Sequence, residues 1–333
     1  MKTRILPYRL NIFLIMTICV LVFIALNIGP VPLVMSTAIE NNWRGLDSIE
    51  SLILFDIRLP RTLLAIIVGG TLGMAGAALQ GLLRNPLAGP GLVGVSNCAA
   101  LGAVIALYFG LQSFVWFAIP ALGMLGAGIS VLLIFALAGA NSSITTLILA
   151  GVAVNAVASS LISLALNFAP NPYAMSEMVF WLLGSLSNRS MADVTLALPF
   201  IIVGWILILL SGRFLDALTL GEDTAKSLGF NVSNYRALLV VGIALAVGAA
   251  VSVSGNIGFV GLVVPHLLRP LLGYQPGKLL FSSALGGAIL VLLADITVQL
   301  SSPNQELKLG VVTALVGGPF FLFLIIKTRN SLQ

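Results

Sequence analysis

The stretch "VGGTLGMAGAA", residues 68–78, contains four glycines and three alanines and no charged residue. It lies inside a longer apolar run, residues 60–82, which is long enough to cross a bilayer at about 20 residues. Small residues on a membrane helix let neighbouring backbones approach closely, which favours helix association in lipid. No strand precedes the glycines, so they do not indicate a phosphate-binding loop. The stretch predicts a tightly packed transmembrane helix.

The rest of the chain has the composition of a polytopic membrane protein. Of its 333 residues, 59% are hydrophobic and only 8% are charged, whereas soluble domains have about 25% charged residues. The net charge is +5. In a membrane protein the distribution of basic residues reflects the topology of the chain, so we expect no nucleic-acid partner. Cys19 and Cys98 lie in separate apolar runs, and they indicate neither a disulfide framework nor a metal site.

Hydropathy predicts an all-α fold of about ten transmembrane helices in one domain, residues 1–333. The predicted spans are 10–34, 60–82, 93–110, 114–138, 146–168, 193–212, 236–256, 259–272, 279–301 and 309–326. The first span is longer than a signal-peptide core of about 7–15 residues, so it is read as a retained helix. Spans two to five and seven to ten form two blocks of opposite starting orientation, which predicts an inverted repeat.

Basic residues predict the orientation of the chain. An even number of spans places both ends on one side, and both ends carry lysine or arginine, such as Arg4 and Lys327. The positive-inside rule therefore assigns both termini to the cytoplasm. Counting six predicted spans from a cytoplasmic N-terminus places the stretch "LGEDTAKSLGF", residues 220–230, on the cytoplasmic side.

This polar stretch predicts a short amphipathic helix. Glu222 and Asp223 suit a helix N-terminus, and Gly229 suits the position just after a helix. Lipid anchors are usually longer and richer in lysine or arginine, so docking into a groove of a cytoplasmic partner is the preferred interpretation. The residues predicted to make this contact are Leu220, Gly221, Glu222, Ala225, Leu228 and Gly229.

The sequence argues against an enzyme and against an ion-coupled carrier. Ion-coupled carriers need intramembrane carboxylates or broken helices, and Asp295 is the one acid within a clear span. We expect Asp295 to be a structural partner of a polar neighbour. The lone histidine, His266, has no metal-ligating partners nearby in sequence, and no Walker sequence is present. We therefore expect no catalytic residue, no metal and no cofactor bound by the chain.

Several strings, in order from about residue 10 to residue 329, resemble the FecCD-type permease family of type II ABC importers for ferric siderophores, haem and vitamin B12. They are "RLPRTLLAIIVGGTLGMAGAALQGLLRNPLAGPGLVGVSNCAALGA" at 58–103, "LILAGVAVNA" at 147–156, "LGEDTAKSLGF" at 220–230, "GNIGFVGLVVPHLLR" at 255–269, "LADITVQL" at 293–300 and "GVVTALVGGPFFLFLI" at 310–325.

This resemblance implies an assembly in the bacterial inner membrane. A second permease chain, identical or related, would complete a translocation path on the dimer axis. Two cytoplasmic ABC ATPase subunits would bind ATP and magnesium, and residues 220–230 would be the coupling helix that docks on them. A periplasmic or lipid-anchored binding protein would deliver a ferric siderophore or similar iron chelate. Haem or cobalamin is the alternative cargo, and an ATP-independent secondary carrier is the alternative of another class.

The resemblance also implies roles for residues at the outer face. Arg58 and Arg61 of "RLPR" would pair with glutamates of the binding protein, because a guanidinium grips a carboxylate in a bidentate manner. Some family members carry a further arginine where this chain has Gln299, and Lys308 is the candidate for a replacement charge.

Other matched positions would line the path. Asn85 and Leu87 match a cytoplasmic gate, with a second constriction at Ile144 and Thr145. The polar candidates for the path are Asn155, Ser159 and Ser160, together with Ser163. One of these serines is expected to bond the carbonyl four residues earlier. His266 and Arg269, in the string at 255–269, are expected to be structural.

Overall fold

The fold is entirely helical in the part of the chain that the computed structural model describes, residues 6–46, 48–139, 144–301 and 307–329. The helices are α1 Leu6–Asn27, α2 Met35–Trp43, α3 Ile49–Leu52, α4 Leu59–Leu82, α5 Val95–Tyr108, α6 Ala118–Ala138, α7 Ile144–Asn167, α8 Pro172–Leu182, α9 Met191–Leu210, α10 Gly212–Leu218, α11 Glu222–Ser227, α12 Val232–Ser254, α13 Val260–Leu268, α14 Pro276–Leu300 and α15 Leu309–Arg329. A π-helical segment, Ile53–Arg58, joins α3 to α4 without a break.

Seven helical stretches in this part of the chain are long and apolar enough to cross a membrane. They lie in α1, in the continuous run Ile49–Leu82, and in α6, α7, α9, α12 and α14. Two further apolar helices, Val95–Tyr108 and Leu309–Phe323, are shorter. Together with the nine-residue α13, they place a helix within each hydropathy span. The predicted all-α membrane fold is confirmed.

The helix bounds differ from the hydropathy spans where the chain contains a proline or a short helix. The first span was expected to reach residue 34, but α1 ends at Asn27, just before Pro30 and Pro32. Similarly, α13 ends at Leu268, and Pro270 opens the turn that follows it. The short helices α2 and α8 were not predicted, because helices of 9 and 11 residues are too short to register as spans.

Backbone contacts with α4 form the centre of the bundle. A Cβ atom added at Gly69 would lie 2.4 Å from the carbonyl oxygen of Gly287, and one at Gly73 would lie 2.0 Å from that of Ser283, both on α14. A Cβ atom at Gly76 would lie 1.8 Å from the carbonyl oxygen of Gly261 on α13. The small residues of "VGGTLGMAGAA" therefore bring three backbones into direct contact, as the sequence predicts.

A second crossing repeats this arrangement. A Cβ atom at Gly248 of α12 would lie 2.4 Å from the Cβ of Ala127, and one at Gly123 of α6 would lie 2.7 Å from the Cβ of Ser252. In the predicted repeat, α4 and α12 are the first helices of the two blocks, and α6 and α14 are the third. Each first helix therefore crosses the third helix of the other block through small residues spaced four apart. This correspondence supports the predicted inverted repeat.

The contact at Gly76 can be tested by adding one methyl group. Gly76→Ala would force α4 and α13 apart, and such overpacking costs about 1–3 kcal/mol. We expect the thermal midpoint of the purified protein in detergent to fall by several degrees. Gly128→Ala is the control, since no atom lies within 4 Å of the added Cβ on α6. Equal midpoints for the two variants would contradict the backbone contact.

Candidate functional site

Arg58 is buried at the end of the bundle where α4 begins. It is only 5% exposed, and its guanidinium donates through Nη1 to the carbonyl oxygen of Leu26 at 2.9 Å and through Nη2 to that of Val31. A Cβ atom added at Gly29 would lie 2.7 Å from Arg58 Nη2, so the guanidinium is packed directly against this connection. Arg58 therefore fastens the segment after α1 to the start of α4.

Arg61 makes a bidentate ion pair with Asp295 of α14. Arg61 Nε lies 2.9 Å and 3.0 Å from the two carboxylate oxygens, and Nη2 lies 2.9 Å from Oδ1. Gln299 Nε2 donates to Asp295 Oδ2 at 2.8 Å. The side chain of Asp295 is 1% exposed and that of Arg61 is 17% exposed. The expectation that Asp295 is a structural partner of a polar neighbour is confirmed.

These contacts change what docking at the outer face requires. The sequence interpretation treated Arg58 and Arg61 as a pair of charges available to a partner, whereas the structure engages both with groups of the same chain. A docking carboxylate would have to compete with Asp295 for Arg61. Lys308, the third candidate, has Nζ 5.2 Å from the centre of the Phe180 ring. The docking roles of these three residues stay a prediction.

The C-terminal end of α4 closes with a turn made by Asn85. Its Oδ1 accepts a hydrogen bond from the backbone nitrogen of Leu87 at 2.9 Å, as the flanking prolines suggest. Leu87 lines a cavity of about 440 Å³ together with Asn256 and Phe259. Phe259 has a φ of +67°, a left-handed conformation that is rare for an aromatic residue. The structure thus places the predicted gate residue Leu87 at a cavity. Asn256 and Phe259, which also line this cavity, were not predicted as site residues.

The second predicted constriction lies at the start of α7. Ile144 is the first residue of that helix, and its side chain lies outside the described part of the structure. Thr145 is exposed. The role of both residues in a gate stays a prediction.

The polar residues of α7 form a cluster with α5. Ser159 Oγ accepts from Asn97 Nδ2 at 2.9 Å and donates to the carbonyl oxygen of Asn155 at 2.9 Å. Ser160 and Ser163 also bond the carbonyl four residues earlier, so this pattern, expected for one serine, holds for three. The Oδ1 of Asn155 is buried without a partner among the described residues. Asn97 was missed because its partner lies 62 residues away.

The stretch 220–230 contains the predicted short helix, α11. Gly229 has a φ of +89°, and the nitrogen of Phe230 bonds the carbonyl oxygen of Ala225 at 3.1 Å, which closes the helix in a glycine cap. Ala225 is fully buried, whereas Leu220 and Leu228 are 67% and 59% exposed. The helix is therefore held by the bundle on one side, and a large apolar side chain in the turn at each of its ends is left uncovered.

Two contacts hold α11 to the rest of the bundle. Glu222 forms an ion pair with Arg236, which lies in the first turns of α12 and is 8% exposed. At the other end, the rings of Phe214, Phe230 and Tyr235 pack against one another with centroids 5.2–6.0 Å apart. The two acids of the stretch thus differ, since Glu222 is tied to α12 and Asp223 lies on the surface.

Arg269 and His266 contact neighbouring helices. Arg269 donates from Nη2 to Oε1 of Gln80 on α4, and the His266 ring lies 6.0 Å from that of Phe320 on α15. These contacts fit the structural roles expected for both residues. No group of three or more potential metal ligands occurs among the described residues.

The chain is thus a helical membrane protein with polar clusters and cavities inside its bundle, and known proteins share this architecture. Residues 16–327 match the FecCD transport family, and the chain belongs to that family. A solved structure described as an inward-facing conformation of a metal-chelate type ABC transporter is 30% identical, with a TM-score of 0.84 over 96% of this chain and 99% of the other.

Curated relatives are similar in sequence to this chain over most of their length. An uncharacterized ABC transporter permease protein of Bacillus subtilis, YvrB, is 42% identical over 86% of this chain and 82% of the relative. The vitamin B12 import system permease protein BtuC of Vibrio cholerae is 41% identical over 85% and 86%. The hemin transport system permease protein HmuU of Yersinia pestis is 37% identical over 99% of both chains. The sequence resemblance is confirmed.

The ion pair between Arg61 and Asp295 can be tested with an isosteric change. Asp295→Asn would leave the Arg61 guanidinium without its counter-charge, and breaking a buried pair in this way costs about 3–5 kcal/mol. We expect a clear fall in thermal midpoint, partly recovered by Arg61→Gln in the same chain. Asp56→Asn, at an exposed acid of the same end, should leave the midpoint unchanged. Equal effects of Asp295→Asn and Asp56→Asn would contradict a stabilising role for the pair.

Proposed function

We propose that the chain is the permease subunit of an ATP-binding-cassette importer for a ferric siderophore or a similar iron chelate. The observation that carries the proposal is the stretch 220–230, in which α11 is held by the bundle on one side and the flanking turn residues Leu220 and Leu228 are exposed. Apolar anchors on a short helix are what a groove in a partner subunit recognises. Membership of the FecCD transport family makes an ABC ATPase the partner of choice.

Two observations bear on the alternatives. The named relatives include haem and vitamin B12 permeases, so haem and cobalamin are the alternative cargoes. Uptake assays of the reconstituted assembly with a ferric siderophore, haem and cobalamin would separate the three. An ATP-independent carrier is disfavoured, because Asp295, the buried acid of the described spans, is already paired with Arg61.

The proposed assembly has three kinds of contact between its components. Two permease chains, identical or related, enclose the path in the bacterial inner membrane, with their termini in the cytoplasm. Two ATPase subunits bind ATP and magnesium and dock on α11. A periplasmic or lipid-anchored binding protein docks on the opposite face, where Arg61 and Lys308 are the accessible candidate contacts, whereas Arg58, the third candidate, is only 5% exposed. The permease itself performs no hydrolysis.

The contacts of α11 define how movement would pass into the membrane. The Glu222–Arg236 pair joins the start of α11 to α12, and the aromatic cluster of Phe214, Phe230 and Tyr235 joins its end to α10. Because α12 packs against α4, α6 and α9, a displacement of α11 reaches the centre of the bundle. The Asn85–Leu87 turn at the end of α4 would then open or close the path.

Docking on α11 can be tested by placing a charge on its uncovered side. Leu228→Asp should prevent the ATPase subunits from co-purifying with the permease, because a carboxylate cannot enter an apolar groove without a large desolvation cost. Leu46→Asp, at an exposed leucine of the opposite face, is the control and should leave co-purification unchanged. Unchanged co-purification of Leu228→Asp, or uptake driven by an ion gradient without ATPase, would contradict the proposed function.

The ion pair behind α11 should affect coupling without affecting docking. Glu222→Gln removes a charged partner of the nearly buried Arg236, while Leu220 and Leu228 remain in place. We expect the ATPase to bind normally and ATP-driven uptake in proteoliposomes to fall about tenfold or more. Asp223→Asn, which affects only the exposed pair with Lys226, should retain normal uptake. Loss of ATPase binding in Glu222→Gln would show that this residue acts in docking instead.

A further inference from the structure

Two arginines line one pocket at the inner end of α4. The pocket has a volume of about 200 Å³ and lies where α4 ends and α14 begins. Its polar lining residues come from three segments: Gln80 and Arg84 from the end of α4, Thr219 from the turn after α10, and Arg269 and Tyr274 from the connection between α13 and α14. None of the lining residues is acidic.

Arg269 is held in place by a buried amide. Its Nη2 donates to Oε1 of Gln80, a residue that is 2% exposed. Gln80 Nε2 is in turn 3.4 Å from the carbonyl oxygens of Gly261 and Leu262. A guanidinium has five N–H donors, and this contact uses one nitrogen of the group. Arg269 is therefore positioned with donors left for a further acceptor.

Arg84 has a charge that no described residue neutralises. Its side chain is exposed and makes no hydrogen bond or ion pair within the described part of the chain. Its φ is +48°, and that of Tyr274 is +60°. Such left-handed residues other than glycine are uncommon and cluster where a ligand is bound. Two of the four in the described chain line this one pocket.

The acid next to the pocket is already engaged. Asp216 accepts a hydrogen bond from Gln275 Nε2 at 2.9 Å and one from the backbone nitrogen of Gly277 at 2.7 Å. It is not part of the lining. The pocket lining thus presents two guanidinium groups and no carboxylate, and the complementary ligand is an anion with several acceptor oxygens.

We propose that this pocket binds the headgroup phosphate of an anionic phospholipid. The pocket lies where two membrane-spanning helices end, and the same α13–α14 connection exposes Leu271 and Tyr274, residue types suited to the membrane interface. Basic pockets between helices on the cytoplasmic side are a known form of lipid-headgroup site. The proposal uses the membrane orientation given above and is independent of the cargo and of the ATPase.

A lipid in this pocket would act on the gate turn. Arg84 directly precedes Asn85, and Thr219 directly precedes Leu220 at the start of the stretch 220–230. One bound headgroup would therefore contact the segments that lead into the Asn85–Leu87 turn and into α11. Anionic lipid at this position would hold the inner end of α4 against the connection that precedes α14.

Lipid retention by the full-length protein tests the proposal. The protein is purified in a neutral detergent, given equal amounts of phosphatidylglycerol and phosphatidylcholine, and the bound lipids are counted by native mass spectrometry. We expect the wild type to retain phosphatidylglycerol preferentially and Arg84→Gln to reduce that preference about tenfold, since charge-assisted hydrogen bonds are lost. Lys278→Gln, which removes an exposed charge from the same end outside the pocket, should retain the preference.

Three outcomes would overturn the proposal. The first is an equal loss of preference in Arg84→Gln and Lys278→Gln, which would indicate unspecific attraction to basic residues. The second is full displacement of the lipid by excess inorganic phosphate, which would indicate a site for a free anion. The third is unchanged lipid retention in Arg84→Gln together with lost ATPase co-purification, which would assign the pocket to a protein carboxylate. Arg84→Lys keeps the charge and should retain part of the preference.

Discussion

Direct backbone contact along one face of α4 determines the arrangement of the other helices. In a bilayer, helices gain little by burying apolar side chains against one another, so close packing and hydrogen bonds must hold them together. Gly69, Gly73 and Gly76 make this possible, because each faces a carbonyl oxygen at a distance that no side chain would permit. α14 and α13 are positioned by these contacts, and the ends of α4 follow from them.

Each end of α4 is then fixed by one guanidinium from a polar pair. At its N-terminal end Arg61 reaches Asp295 of α14, and at its C-terminal end Arg269 reaches Gln80 of α4. A polar group inside a membrane protein is costly unless it is paired, so these contacts define single positions where the glycine face alone would allow sliding. The glycines set the distance between helices, and the polar pairs set their register.

Local features of this structure could be predicted from the sequence, and long-range pairings could not. Composition and spacing were enough for the apolar helices, for the turn at Asn85 and for the glycine that ends α11, because each depends on residues close in the chain. The burial of Arg58 depends on carbonyl oxygens 27 and 32 residues away, and the Asn97–Ser159 bond spans 62 residues. The string "RLPR" does not indicate whether its arginines contact a partner protein or donate hydrogen bonds to carbonyl oxygens of their own chain.

The repeated small-residue crossing has a consequence for conformational change. At the glycine positions where α4 meets α14, and again where α12 meets α6, the nearest atoms of the facing helix belong to its backbone or to a methyl or hydroxymethyl group. At these positions a small movement of one helix along the other does not require a neighbouring side chain to change rotamer. The barrier to tilting one block against the other would then come mainly from the few polar pairs, which can exchange partners individually.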